Sequence, residues 1–465
     1  MRKYGPHIVA EHRLAIRIQA PRVVDTCATL ERRVGTVTSA GKFSKVAAGK
    51  SNSKWNDCLR RYGELYQREN DPRSEFNRDY NRILHCTAYR RLKHKTQVFF
   101  ATGHDHVCTR MEHVNHVSAV SYTIAKCLGL NTELTSAIAI GHDLGHTPFG
   151  HRGEYILKSL YKEFLSEDFW HERNSLRFVD KLETLEDPNG KDRNLCLTYA
   201  VRDGLVCHCG EVDDRVLSPR DEVRDLYGIV EAGREAPFTW EGCVVKIADK
   251  IAFLGRDIED ATVMGIISRE ERNDLVQDIK RQLEIKLAEV NNTSLMQHLI
   301  LDLCKSSEPE EGLMFSEQSV ELIRVIKRFS EERIYNSPRL TCFKEFASLV
   351  IESIFDTLRD FYSPRPMDII KGLKNAVPYY PSLAGTFLDW MIKYSDVDLE
   401  TRGKRGHAND VVYAIDREND YVQSIVDYIS GMTDTFALKA FRELTSFDYA
   451  PELWEVRRGI ARGTT

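Results

Sequence analysis

The chain has 465 residues, with 65 Lys plus Arg against 70 Asp plus Glu, a net charge of −5, and 42% hydrophobic against 29% charged residues. That balance excludes a polybasic nucleic-acid binder and a wholly disordered chain, while the length allows two or three domains at roughly 150 residues each. No stretch approaches the ~18 apolar residues of a membrane span, no basic start leads into an apolar run, and the eleven cysteines form no disulfide-like framework, so a reducing, cytoplasmic location is expected.

The first fifty residues carry ten Lys or Arg against Glu11, Asp25 and Glu31 and read as a poorly ordered basic extension, 1–50. Residues 51–270 read as a core that holds the chemistry, and 271–465 as a helical region that completes it and supplies oligomer contacts. Val114, Val117, Val120, Ile124 and Leu128 recur at helical spacing and stop at Gly129. Leu134, Ile138 and Leu144 continue into a second helix ending near HDLGHTPFGH, and a third starts at about Gly153. Further helical periods fall at 175–185, 244–267, 270–290, 322–329, 343–358 and 420–429. The breaker-rich stretches Pro188–Pro237 and Tyr362–Pro381 read as irregular connections. Strand alternation is scarce, so the predicted fold class is all-α, one large helical core with appended C-terminal helical segments.

Eleven of the 15 histidines crowd into residues 85–208. A lone histidine on an apolar face is more often a packing residue, but a dense group with neighbouring acids is a site candidate. His142-Asp143 ends the apolar helix AIAIGHDLG, where a buried carboxylate needs a cation or hydrogen bonds. The same dipeptide, His104-Asp105, sits in a polar loop, so the pair alone proves little. His113 on the preceding helix and Asp249 in VVKIADKIAF strengthen it. Two imidazoles and two carboxylates suit a divalent ion such as Mn, Fe, Co, Mg or Zn, with positions left open for water or phosphate oxygens. Cys207, His208 and Cys209 have metal-type side chains, but no second cluster at zinc-finger spacing accompanies them.

The segments SEFNRDYNRILHCTAYRRLKHKTQVF, TRMEHVNHV, GHDLGHTPFGHRGE, FWHERNSLR, VVKIADKIAFLGRDIEDA and YISGMTDTFAL occur in this order. On them the chain resembles the HD-domain superfamily of metal-dependent phosphohydrolases and, within it, the deoxyguanosinetriphosphate triphosphohydrolase-like dNTPases, over about 75–265 with a further block near 428–438. The resemblance implies a divalent metal (Mn, Mg, Fe or Co) held by His113, His142, Asp143 and Asp249. It implies His151 and Glu154 as the catalytic pair, with Glu154 orienting His151, and places His146 and His171 along the phosphates or behind the metal ligands. Arg110 and Lys250 match phosphate-contacting positions, the plainer alternative being surface charge; Gln97 and Asp257 match positions that hydrogen-bond the sugar. The patch Arg90, Arg91, Lys93 and Lys95 reads as a solvated helix face or an aid to phosphate or nucleic-acid binding.

Four positions depart from the common pattern. Phe253 stands where a tyrosine is usual under the deoxyribose, Glu172 replaces an asparagine, Thr147 a proline and Thr435 an arginine. The expected activity is hydrolysis of a dNTP, dGTP among them, to deoxynucleoside and triphosphate. The alternatives are another HD phosphohydrolase acting on cyclic nucleotides or nucleic-acid ends, for which His146, His171 and His208 leave a two-metal version open, and a nucleotide-sensing regulator. The resemblance further implies a homo-oligomer, commonly a hexamer, with nucleic acid as a possible regulator and no membrane partner.

Overall fold

Ser74 caps the first long helix, α1 (Glu75–His85), by accepting a hydrogen bond from the Asn77 N–H. In α2 (Arg110–Leu128) a capping box closes the N-terminus, with the Thr109 hydroxyl and the Glu112 carboxylate each accepting from the other's backbone N–H. The helix ends at Gly129, where φ is 81° and the amide bonds to Ala125 O. Next come α3 (Thr132–Gly141), α4 (Gly150–Leu165), α5 (His171–Arg177), α6 (Tyr199–Val206) and the long α7 (Trp240–Val263). The C-terminal half adds α8 (Arg269–Leu283), α9 (Asn292–Ser306), α10 (Glu317–Ser330), α11 (Pro338–Arg359), α12 (Pro366–Ala376), α13 (Leu383–Tyr394), α14 (Glu418–Ser430) and α15 (Asp434–Thr445). Strands are confined, among the described residues, to two short antiparallel pairs: β1 (Thr184–Glu186) with β2 (Asp192–Asn194), and β3 (Val216–Leu217) with β4 (Leu313–Met314). The fold is all-α.

This computed structural model describes residues 41–66, 70–100, 106–209, 216–283 and 290–446. Most of the expected basic extension and the comparison dipeptide His104-Asp105 lie outside the described residues. The last stretch of that extension belongs to the core: Phe43 is fully buried, its amide donates to Leu128 O at 2.8 Å, and the Ala48 amide donates to Glu241. No described helix is long and apolar enough to cross a membrane.

At the centre, α7 packs against α2, α3 and α6, while α11 lies across α4, α14 and α15. Three local readings change. The stretch 188–237 contains α6, every residue of which is buried. Its charges are matched from afar, Arg202 on Asp180 and Asp203 on Arg220, so the polar letters hide a core helix. The stretch 362–381 contains α12, which begins on Pro366, a first-turn position where the missing N–H costs nothing. The helical period at 175–185 is interrupted: α5 stops at Arg177, a wide turn covers Phe178–Leu182, and β1 follows.

The loop that follows α3 carries the HD pair, and several anchors hold it. The Gly145 amide donates to Ser175 Oγ at 2.8 Å, Ser175 Oγ donates to His142 O at 2.8 Å, and Asn174 Nδ2 donates to Gly145 O at 2.6 Å. Lys95, buried and without surface exposure of note, donates to the carbonyls of His146 and Ser430. Asp434, at the start of α15, accepts from the amides of Thr96 and Phe149, each at 2.9 Å. A Cβ on Gly145 would stand 2.1 Å from Ser175 N and 2.4 Å from His171 O, both backbone atoms that cannot swing aside. Gly145→Ala is therefore expected to lower unfolding free energy by about 3 kcal/mol or more, against about 1 kcal/mol for Asn174→Ala, in urea denaturation of the full chain. Equal stability of Gly145→Ala and the parent would contradict this packing.

Candidate functional site

Helix geometry brings four acid and imidazole side chains to one point. His113 lies one turn into α2, His142 and Asp143 follow the last turn of α3, and Asp249 faces them from the middle of α7. His113 Nε2 is 2.8 Å from Asp249 Oδ1, His142 Nε2 is 3.8 Å from that same oxygen and 3.5 Å from Asp143 Oδ1, and His113 Nε2 is 4.0 Å from Asp143 Oδ2. Arg110 Nη1 donates to Asp143 Oδ2 at 2.7 Å, and His146 Nε2 sits 3.1 Å from Asp143 Oδ1. Burial acts to raise the Asp143 carboxyl, but His142, His146 and Arg110 outweigh it and hold it well below the usual carboxylate range. Asp249 is likewise held low, burial being overcome by the hydrogen bond and charge of His113.

The donor set fits a divalent cation. His142 Nδ1 donates to Ala139 O at 2.7 Å, which fixes the tautomer and leaves Nε2 as a lone pair. That Nε2 is buried with no hydrogen-bond partner, inside a group where His113, His142 and Asp249 each present a donor atom within 4.8 Å of the others. An unpaired imidazole nitrogen beside two ionised carboxylates is a donor set that suits a divalent cation.

His113, Asp143, His146 and Asp249 line a cavity of about 640 Å³. From α7, Asp249, Lys250, Phe253 and Asp257 all face it, as their spacing of one to two turns requires. Asp257 accepts a 2.5 Å hydrogen bond from Tyr335 Oη, and burial pushes its carboxyl up to about 6 despite that bond. Gln97 also lines the cavity, with its side-chain oxygen buried and unpaired. Arg110 is almost fully buried, and besides Asp143 it donates to the Gln97 carbonyl at 3.3 Å. Lys327, Arg328, Arg152 and Lys344 add positive charge to the lining.

Glu154 is nearer to His171 than to His151. Its carboxylate accepts from the His171 amide at 2.9 Å and from Nδ1 at 3.0 Å, whereas His151 Nδ1 stands 3.8 Å away and its side chain is 74% exposed. Burial works to lower the His171 imidazole, but Glu154 and Glu172 raise it well above its ordinary value. His171 stacks on His146 with centroids 3.8 Å apart, and His208 meets both His142 and His171 edge-on. Burial beside His142 and His171 drives the His208 imidazole down to about 3, so it is neutral.

Tyr335, Lys327 and Arg328 escape a reading of the sequence: they belong to α10 and the wide turn after it, 66 to 74 residues beyond the end of VVKIADKIAFLGRDIEDA. Nothing local marks them; only the fold does. Of the basic patch, Lys95 is buried behind the site and Arg91 pairs with Glu183 at 2.7 Å.

Two outcomes test the centre. His142→Ala should weaken divalent-ion binding by about a hundredfold or more in a competition titration, since it removes the prealigned nitrogen. Arg110→Ala should cost about 3–5 kcal/mol of stability in chelator, because it strands Asp143 as a buried charge, and Mn should restore a large part of that loss. An Arg110→Ala protein equally stable with and without Mn would contradict the assignment.

The HD domain family profile matches residues 110–254, the span from Arg110 to just past the Asp249 turn. Similar proteins run over most of the chain. A deoxyguanosinetriphosphate triphosphohydrolase-like protein of Desulfatibacillum aliphaticivorans is 32% identical over 375 residues, 80% of this chain and 88% of the relative. Proteins of the same description are 31% identical over 384 residues in Caldanaerobacter subterraneus subsp. tengcongensis (83% and 87%) and 30% identical over 435 residues in Brucella anthropi (85% and 95%). With this coverage, and with the buried His/Asp cluster at the centre of the matched span, the chain belongs to the deoxyguanosinetriphosphate triphosphohydrolase-like family of HD-domain, metal-dependent phosphohydrolases.

Proposed function

We propose that this protein hydrolyses deoxynucleoside triphosphates, dGTP among them, to deoxynucleoside and inorganic triphosphate. The observation that carries this reading is that one cavity is lined by residues of the His/Asp cluster, by Lys250, Lys327, Arg328 and Lys344, and by Asp257, Tyr335 and Phe253. Charge of that kind suits a polyphosphate, and a carboxylate–phenol pair beside an aromatic ring suits a sugar. A divalent ion held by His113, His142, Asp143 and Asp249 supplies Lewis-acid polarisation of a phosphoryl oxygen and a more acidic water.

The chain's own groups do the rest. Lys250 and Lys327 offset phosphate charge, and Arg110 holds Asp143 ionised. Glu154 holds His171 in place, and His151, open to the cavity, gives a proton to the leaving 5′-oxygen. Asp257 accepts from the 3′-hydroxyl, Gln97 turns its unpaired oxygen to the sugar, and the Phe253 ring limits space at the 2′-position. A second reading, an HD phosphohydrolase cleaving other phosphate esters, is favoured by the additional imidazoles of His146, His171 and His208 around the cluster.

The test is to incubate the purified chain with each dNTP and NTP plus Mn or Mg and to resolve products by anion exchange. Triphosphate plus deoxynucleoside supports the first reading; nucleoside monophosphate or orthophosphate supports the second. Glu154→Ala should cut turnover by about a hundredfold or more with metal content unchanged. Acidification should raise KM for dNTP as pH falls through about 6, because Asp257 becomes protonated and loses its acceptor strength. Tyr335→Phe removes a hydrogen bond to the ionised form, so the same limb should move to higher pH; dideoxynucleotides should show neither effect.

A further inference from the structure

Cys127 sits in the last turn of α2, about 21 Å along the helix from His113, and Cys304 in the last turn of α9; neither lines the cavity. The two helices pack on each other, and one dipeptide ties their ends together. The Phe43 amide donates to Leu128 O at 2.8 Å, next to Cys127. Lys42 Nζ donates to Lys305 O at 3.1 Å, next to Cys304, and to Ser307 O at 3.2 Å, so it caps the carbonyl end of α9. Held in this way, the two side chains meet: the Cys304 thiol donates a hydrogen bond to the Cys127 sulfur.

The pair is chemically unequal. Cys127 is exposed and Cys304 half-buried. The hydrogen bond from Cys304 holds the Cys127 thiol below its ordinary range; burial opposes this and the Lys42 ammonium supports it. Cys304, as the donor, is raised. An accessible thiolate beside a protonated thiol is the arrangement of an attacking and a resolving cysteine. Elsewhere burial pushes the thiols of Cys58, Cys86, Cys108, Cys207 and Cys243 up, as inert core residues require.

We propose that Cys127 and Cys304 form a hydroperoxide-responsive dithiol, closing to a disulfide that locks α2 to α9. The Cys127 thiolate attacks one peroxide oxygen; the O–O bond breaks, the sulfur becomes a sulfenic acid, and the other oxygen takes a proton and leaves as water. Cys304 sulfur then displaces the hydroxyl group from that sulfenic acid, its own proton leaving with the hydroxyl as a second water. The electron pair lost by the two sulfurs is the pair that reduces the peroxide bond, and an external dithiol reverses the bridge by exchange. The first turn of α9 is anchored on α7, where the Asn292 amide donates to Glu259 Oε1 at 3.0 Å. The bridge therefore fixes the helix that bears Arg110 and His113 to one seated on the helix that bears Asp249, whatever the substrate.

Peptide mass spectrometry of the reduced full chain, treated with hydrogen peroxide, then iodoacetamide, and digested without reductant, provides the test. The expected result is a linked pair of peptides carrying Cys127 and Cys304 that dithiothreitol separates, with exposed Cys342 alkylated as before. Cys304→Ser should stop the reaction at a Cys127 sulfenic acid that dimedone traps, while Cys127→Ser should give no dimedone adduct at Cys304. In the unaltered protein, amide exchange in the last turn of α2 should slow on oxidation and recover with dithiothreitol. Undiminished alkylation of Cys127 after peroxide, or a bridge from Cys127 to another cysteine or to a second copy of the chain, overturns the proposal. Unchanged amide exchange in a fully bridged chain overturns the lock.

Discussion

Asp143 is an ionised carboxylate 3% exposed to solvent, and the cost of keeping that charge inside shapes what surrounds it. A buried charge without partners is unaffordable by several kcal/mol. The chain answers with Arg110 at 2.7 Å on one oxygen and with imidazoles around the other. Those partners come from two helices and a loop, so the loop after α3 has to be held to a fraction of an ångström. Gly145 against α5, Lys95 under His146, and Asp434 across the loop supply that restraint, each through backbone atoms of the loop rather than its reactive side chains. The C-terminal helices are therefore part of the site's foundation, because Asp434 and Ser430 both reach it.

The same electrostatic logic divides the cavity. Carboxylates and imidazoles cluster where a cation is stabilised, and Lys250, Lys327, Arg328 and Lys344 join the lining, where anionic oxygens are stabilised. A metal-dependent phosphohydrolase needs both fields within one molecule's reach. Within the same lining Asp257 has a raised carboxyl, tied to Tyr335, and it is there that substrate class is decided under the reading proposed above.

Much of this was legible in the residues because it follows from local periodicity. The helices α2, α3 and α7 announce themselves through apolar spacing, and Asp249, Phe253 and Asp257 fall on one face by arithmetic of the helical turn. What escaped is what tertiary contact decides. The helix α6 reads as a polar break because Arg202 and Asp203 are paired with residues far along the chain. Pro366 reads as a breaker although it opens α12. The family resemblance pairs Glu154 with His151, while the packing of α5 on the HD loop brings His171 closer. Lys95 looks like surface charge until the carbonyls of His146 and Ser430 surround it. Tyr335 carries no local mark at all, being delivered by the turn after α10.

Under the proposed function, His113, His142, Asp143 and Asp249 jointly hold a divalent ion. Anomalous diffraction from crystals of the full chain grown with Mn, collected on both sides of the Mn absorption edge, tests it without reference to activity. A Mn peak in direct coordination with side chains of all four residues, with His142 Nε2 among the ligating atoms, is expected. A fully occupied Mn site elsewhere with this cluster left empty, or no ordered Mn at saturating concentration, would contradict it.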